Sequence, residues 1–150
     1  MTRPVVSALL TLGLFFASAS AAEAQAQDPY VEGPVVVVSR LRTEPGQGPA
    51  YLRYIFGDYA RLMAAYKEAG IILDWGVLSL PPRTPEDPDL ILTTTYANMA
   101  AMDGLDAKTR PIVQKVMGMT TEQSARASAE RQAMRKQLGS DLMRRLVPRP

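Results

Sequence analysis

The chain has 150 residues, of which 47% are hydrophobic, and its 17 basic and 15 acidic side chains leave a net charge of +2. It contains neither histidine nor cysteine. Their absence excludes disulfides, zinc sites with the usual ligands, a haem with an ordinary axial ligand and a Ser-His-Asp triad. The small net charge does not indicate a nucleic-acid partner. We expect no bound cofactor and no metal.

The first 24 residues have the pattern of a secretory signal peptide. Arg3 precedes the apolar stretch Val5–Ala17, and small residues suited to cleavage follow it. This stretch is shorter than the roughly 20 residues that a membrane-spanning helix needs. We therefore predict a periplasmic or secreted protein that is cut between about Ala21 and Gln25 and does not insert into a membrane afterwards.

Residues 25–34 are expected to form a polar lead-in, and residues 35–150 a single domain. The β-branched run Val35–Arg42 predicts a strand, and Pro49 suits the first position of a helix. From Ala50 to Ala69, apolar residues recur at steps of three or four, which predicts an amphipathic helix ended by Gly70. The predicted buried stripe is Leu52, Ile55, Phe56, Tyr59, Leu62, Met63 and Tyr66.

The sequence of the second half of the domain predicts two further strands, two helices and a closing strand. The predicted strands are Ile71–Leu80, Leu90–Ala97 and residues 140–148; the predicted helices are residues 98–118, interrupted around Gly104 and Pro111, and residues 120–138. Thr120 and Gln123 are spaced as a capping box. The basic side chains of the last helix, Arg126, Arg131, Arg135 and Lys136, are interpreted as a solvated surface.

This order, β-α-β-β-α-(α)-β, predicts an α+β protein with a ferredoxin-like fold, in which a four-stranded antiparallel sheet carries helices on one face. The second face of the sheet is expected to be apolar and uncovered. Because a large exposed apolar patch normally finds a partner, we expect two copies of the chain to pack face to face as a homodimer.

The segments "VVVVSRLRTEPGQGPAYLRYI" and "ILTTTYANMAAMDGL" resemble the dimeric α+β barrel superfamily over roughly residues 35–147. Its members include cofactor-free monooxygenases of the antibiotic-monooxygenase type, muconolactone isomerases, haem-handling enzymes and stress-responsive or NIPSNAP-like proteins. The resemblance implies a dimeric barrel. It is architectural, since no catalytic motif of a subfamily is matched and the histidine of the haem-handling branch is absent.

One acidic side chain, Asp74, lies within a predicted apolar strand, where a buried carboxylate needs a partner. Arg40 is a natural partner if the two share a face of the sheet. Such a pair could hold a polar ligand. Alternatively it is a structural ion pair, or Asp74 lies near a sheet edge and reaches water.

Four aromatic residues are further candidates. Trp75 and Tyr96 either line a pocket or fill the core. Tyr51 and Tyr54 lie toward the edge of the helical stripe, near Asp58 and Arg61. A tyrosine beside an arginine can donate a proton while the positive charge stabilises an anion, although a solvated helix face explains the same pattern.

We therefore predict that the protein binds a small, partly apolar molecule between sheet and helices. The candidate ligand-binding residues are Arg40, Asp74, Trp75, Tyr96, Tyr51 and Tyr54. A first alternative is a cofactor-free oxygenase, isomerase or lyase, with Tyr54, Asp74 or Arg40 as catalytic candidates. A second alternative is a structural partner protein without a ligand.

Overall fold

Residues 28–149 are described by a computed structural model, and the predicted signal peptide lies outside them. Four antiparallel strands form one sheet in the order β2-β3-β1-β4. The strands are β1 (Tyr30–Thr43), β2 (Asp74–Ser79), β3 (Leu90–Tyr96) and β4 (Arg135–Pro148). Helices connect β1 to β2 and β3 to β4, so this order confirms the predicted ferredoxin-like α+β fold.

The first helical connection is one continuous rod. It comprises α1 (Gly48–Tyr54), a π-helical turn (Ile55–Tyr59) and α2 (Ala60–Glu68). The rod confirms the predicted helix and its end, because Gly70 has a φ of 69°, a left-handed conformation that favours glycine at a helix C-terminus.

The second helical connection contains a 3-10 turn (Met99–Met102), α3 (Leu105–Met117) and α4 (Thr121–Glu130). The predicted break at Gly104 is confirmed by its φ of 65°, whereas α3 continues through Pro111. The capping box of Thr120 and Gln123 is present. None of the helices in the described part of the chain is long and apolar enough to cross a membrane.

The predicted end of the last helix is wrong. Helix α4 stops at Glu130, a 3-10 turn spans Arg131–Ala133, and β4 begins at Arg135. Residues 135–137 pair with the end of β1, from Thr43↔Arg135 to Leu41↔Gln137. Since Arg135, Lys136 and Gln137 offer no large apolar group to bury as a helix, the hydrogen bonds of strand pairing determine the conformation of this segment.

Strand β1 begins at Tyr30, inside the predicted lead-in, and its first residues extend beyond β3. There β1 pairs with β4 alone, from Tyr30↔Pro148 to Glu32↔Leu146, whereas β3 ends where Tyr96 pairs with Val35. We call Tyr30–Glu32 and Leu146–Pro148 the two-stranded arm.

The helical rod covers one face of the sheet, which we call the inner face. Its buried cluster joins Leu41 and Leu90 of the sheet to Tyr51 and Ile55 of the rod. The opposite, outer face carries the alternate residues of each strand. By the pairing register, its apolar members are Val36, Val38, Leu78, Ile91 and Met143.

Candidate functional site

The π-helical turn changes which residues of the rod face the sheet. A π turn hydrogen-bonds from i to i+5, so the buried positions advance by about four residues instead of the 3.6 of an α-helix. Tyr51, predicted at the edge of the stripe, is only 2% exposed, and Ile55 is fully buried. Phe56, predicted to be buried, is 66% exposed, and Leu52 is also exposed, so the prediction is wrong for both.

Four aromatic side chains form a continuous row between the rod and the sheet. The ring centroids lie 6.0 Å apart for Tyr51 and Tyr54, 6.3 Å for Tyr54 and Tyr59, and 5.8 Å for Tyr59 and Trp75. The last pair meets edge to face, at 87°. These separations are within the range of favourable aromatic contacts. We call these four residues the aromatic row.

Two arginines pack against one end of this row. The Arg131 guanidinium carbon lies 4.6 Å from the Tyr54 ring centroid, and that of Arg135 lies 5.8 Å from the Tyr51 ring centroid. Both distances suit cation–π interactions. Within residues 28–149, neither arginine forms an ion pair with a carboxylate. The positive charge at this end of the row is therefore not neutralised by a salt bridge.

Sequence reasoning missed both arginines. Their interpretation as a solvated helix surface is wrong, because α4 ends before Arg131 and the change from turn to strand directs these side chains toward the rod. Tyr59 was placed in the buried stripe but not proposed as a site residue. The spacing of the basic residues does not indicate these contacts. A helix continued to residue 138 would direct the two arginine side chains differently from the turn and strand that are observed.

Arg135 also connects the aromatic row to the surface. Its Nε atom is buried and has no hydrogen-bond partner among the described residues. The same side chain lines a surface depression of about 400 Å³. The other lining residues are Glu44, Ser128, Gln132, Lys136 and Gln137. An unpaired buried guanidinium nitrogen is costly. The same side chain is hydrogen-bonded to Tyr51, which helps to lower the pKa of that tyrosine against the effect of burial.

Burial raises the pKa values of the tyrosines in the row above their ordinary value. It raises the pKa of Tyr51 and of Tyr54, and the positive charges of Arg135 and Arg131 offset part of the rise. Burial also raises the pKa of Tyr59, to about 12, although the Thr94 side chain opposes the change. All three hydroxyls are therefore protonated at neutral pH and can donate hydrogen bonds to an acceptor.

Burial of Asp74 with Arg40 as its partner is wrong, and the alternative that Asp74 lies near a sheet edge and reaches water is confirmed, because β2 is an edge strand of the sheet. Asp74 begins β2, its side chain is 66% exposed, and it accepts a hydrogen bond from the Lys67 ammonium at 2.8 Å. This bond and the backbone N–H of Trp75 lower the pKa of Asp74. Arg40 instead pairs with Asp141 at 3.2 Å.

The reason is the register of the sheet. Arg40 and Leu78 both align with Ile91, which places Asp74 about 13 Å along the strands from Arg40 and two strands away. By alternation both residues belong to the outer face, and Asp74, at the start of β2, reaches from there to the Lys67 ammonium of α2. Their assignment to ligand binding stays a prediction.

The other predicted site residues lie on the inner face. Tyr51, Tyr54 and Trp75 belong to the aromatic row. Tyr96 stands on the same face, next in alternation to Thr94, and burial raises its pKa. The arginine beside Tyr54 is Arg131 rather than the predicted Arg61, which pairs with Asp58 at 2.6 Å on the exposed side of the rod.

Two larger depressions lie elsewhere and contain none of the predicted site residues. One of about 470 Å³ lies between α3 and α4, and one of about 760 Å³ lies between the end of β1 and the proline-rich connection from β2 to β3. In residues 28–149, no group of three or more acidic side chains is placed to hold a metal ion.

Comparisons with known proteins show resemblance in structure only. No protein-family model and no curated protein matches the chain. The crystal structure of HapK from Hahella chejuensis is 12% identical, with a TM-score of 0.46, and the match covers 73% of this chain and 90% of HapK. A dimeric ferredoxin-like protein from an uncultured marine organism is 10% identical, with a TM-score of 0.47 over 78% of this chain and 96% of that one. At this level of similarity, the fold of this chain is established by its own strand order.

Proposed function

We propose that the protein binds a small, partly apolar molecule between the sheet and the helices, at the end of the aromatic row nearest Arg131 and Arg135. One observation carries the proposal: two arginines that have no carboxylate partner among residues 28–149 pack on the buried ring of Tyr51 and the half-buried ring of Tyr54. Small-molecule sites typically combine apolar and aromatic walls with a few convergent polar groups. This end of the row has both components.

The π-helical turn supports the same location. Single π turns inside α-helices occur frequently at functional sites. Here the turn begins directly after Tyr54 and contains Tyr59. It therefore sets the position of two of the four aromatic side chains in the row.

The test combines native mass spectrometry with fluorescence. Protein isolated from its native host is examined for a co-purifying molecule, and a panel of aromatic and aliphatic compounds is titrated against the fluorescence of Trp75, the only tryptophan in the sequence. We expect Tyr54→Ala to weaken binding. Phe56→Ala, an exposed position on the same rod, should leave it unchanged. If no compound binds and no mass is carried through purification, the structural-partner alternative is favoured instead.

A cofactor-free enzyme is the second candidate function. It is favoured by the distance of 4.6 Å between Arg131 and the Tyr54 ring, since a protonated tyrosine beside a cation can donate a proton to a developing anion. Asp74 and Arg40 stand across the sheet, so Tyr54 is the catalytic candidate of this arrangement. Tyr54→Phe should then abolish turnover of a bound compound while retaining its affinity. Equal turnover by the variant would exclude this role.

We also propose that two copies of the chain associate through the outer face. Leu78 is 56% exposed and Met143 is 51% exposed on this face, and no helix of the described chain covers it. The two-stranded arm adds the exposed residues Val31, Leu146 and Val147. An isolated two-stranded ribbon is marginal in water, so a second subunit is a suitable support for the arm.

Sedimentation velocity tests the homodimer with a matched pair of variants. Leu78→Lys on the outer face should convert the dimer to a monomer. Phe56→Lys adds the same charge at an even more exposed position on the helical side and should leave the dimer intact. A wild-type protein that sediments as a monomer at micromolar concentration would refute the proposal.

The location proposed for this protein is the periplasm or the extracellular space. The support is the sequence pattern of residues 1–24, with cleavage between about Ala21 and Gln25. N-terminal sequencing of the protein exported by its native host tests this location. A mature chain that still begins at Met1 would contradict it.

A further inference from the structure

Resting on the proposed homodimer, we infer that the two copies of the chain meet around the ion pair of Arg40 and Asp141. In the dimer, the Arg40 guanidinium of each copy faces the Asp141 carboxylate of the partner subunit as well as that of its own chain. The pair belongs to the outer face, next in alternation to Val38 on β1 and Met143 on β4. A second copy of this chain is therefore the occupant of the outer face, in a register that the two charges set.

The ion pair retains capacity for further partners. One Nη of Arg40 lies 3.2 Å from one oxygen of Asp141, and the two side chains are 45% and 39% exposed. Within residues 28–149, neither residue forms a second ion pair. A guanidinium carries several N–H donors and each carboxylate oxygen accepts more than one hydrogen bond. Both groups can therefore bind an opposite charge that approaches from outside the sheet.

Gly139 allows the Arg40 side chain to lie along the sheet. Arg40 is aligned with Gly139 of β4, and a Cβ atom at this glycine would lie 3.1 Å from an Nη of the guanidinium. The guanidinium thus lies over the glycine instead of standing away from the sheet. Sheets that pack face to face are about 10 Å apart. An arginine in this flat position fits between two such sheets, whereas an upright arginine would hold them apart.

Two-fold symmetry makes the pair complementary to itself. In a symmetric dimer, a contact between two different residues of the two copies occurs twice. An axis beside the pair therefore produces two contacts between Arg40 and Asp141 across the interface, in a cluster without net charge. Enclosing an ion pair is costly unless its remaining donors and acceptors are satisfied, and the second copy satisfies them. A partner with a purely apolar surface would desolvate both charges and supply no partner for either.

The experiment compares charge-reversal variants of the full-length mature protein by sedimentation velocity. Arg40→Asp gives the pair two negative charges, and Asp141→Arg gives it two positive charges. Each variant is measured alone and in an equimolar mixture with the other. Arg61→Asp is the matched control, because it creates the same repulsion with Asp58 on the exposed side of the rod. Circular dichroism confirms that each variant is folded, which we expect because exposed ion pairs contribute little to stability.

We expect the dissociation constant of the dimer to rise at least about 100-fold in each reversal variant alone, because like charges then face each other across the interface. The equimolar mixture should form a heterodimer with an affinity within about 10-fold of wild type, since two carboxylates there face two guanidinium groups. Native mass spectrometry identifies this heterodimer by its mass. Arg61→Asp should remain a dimer. The neutral variants Arg40→Gln and Asp141→Asn should each weaken the dimer by roughly 10- to 100-fold.

Reversal variants that each dimerise as tightly as wild type would overturn the inference, and the homodimer would stand if Leu78→Lys still separates the two copies. Folded variants that stay monomeric in the mixture would overturn it as well, because their charges would not face each other. If a reversal variant does not fold, unchanged dimers of both Arg40→Gln and Asp141→Asn refute the inference. A wild-type protein that is monomeric refutes the homodimer itself and the inference with it.

Discussion

The most informative stability experiment removes the hydroxyl of Tyr59, the residue that links the tyrosines of the rod to Trp75. Burial raises its pKa from 10.0 to about 12. A raised pKa means that the folded state favours the neutral phenol more than the unfolded state does. The associated stability is therefore fully present below pH 10 and is lost as the pH rises toward 12.

The size of this loss follows from the shift. Each pKa unit corresponds to 1.36 kcal/mol, so a rise from 10.0 to about 12 makes Tyr59 contribute about 3 kcal/mol of free energy of unfolding that disappears at high pH. Tyr59→Phe cannot ionise. Folded Tyr59 is still about half protonated at pH 12, so the variant should lose about 2 kcal/mol less than wild type between pH 8 and pH 12. The other tyrosines titrate in both proteins and cancel in the difference.

Urea unfolding of both proteins at pH 8 and at pH 12, followed by circular dichroism, measures the difference. At pH 8 the variant should be close to wild type, within the roughly 1 kcal/mol of one lost hydrogen bond. In a pH titration followed by tyrosinate absorbance near 295 nm, Tyr59→Phe should show one fewer tyrosine that ionises only at high pH. Equal alkaline losses in the two proteins would refute the burial of this hydroxyl between rod and sheet.

Three further predictions concern the contribution of single side chains to the stability of the fold around the site. Asp89→Ala removes the carboxylate that accepts a hydrogen bond of 3.0 Å from the backbone N–H of Thr43, at the end of β1. The free energy of unfolding in urea should fall by about 1–3 kcal/mol. Glu86→Ala, in the same connection between β2 and β3, should lower it little. Thr120→Ala removes the capping box of α4 and should cost about 1 kcal/mol, and an equal cost for Thr121→Ala would contradict the cap assignment. Asp74→Asn should leave the urea midpoint unchanged, because its salt bridge is exposed to water. A large fall in the midpoint would favour a buried, paired carboxylate over the position at the sheet edge.

The parts of the fold that were predicted correctly depend on local chemistry. A β-branched run can be read directly as a strand, and β3 was predicted to within one residue of its observed end. The left-handed Gly70 and the capping box at Thr120 were also predicted, because each requires a particular residue type at a particular offset.

The parts that were missed depend on contacts between distant segments. An α-helical period cannot reveal the π turn of Ile55–Tyr59, in which Phe56 is exposed. The end of α4 is decided by pairing with β1, about 90 residues earlier in the chain, and this pairing brings Arg135 to Tyr51. Local propensity carries no information about such a partner.

The sequence by itself determined the order of strands and helices and the absence of disulfides and histidine chemistry, because periodicity and composition are properties of the chain alone. Only the tertiary structure decided which side chains meet: Asp74 with Lys67, Arg40 with Asp141, and Arg131 with Tyr54. The physical reason is that register and helix phase are set by cooperative packing across the whole sheet. A shift of one residue in a strand moves every side chain to the opposite face.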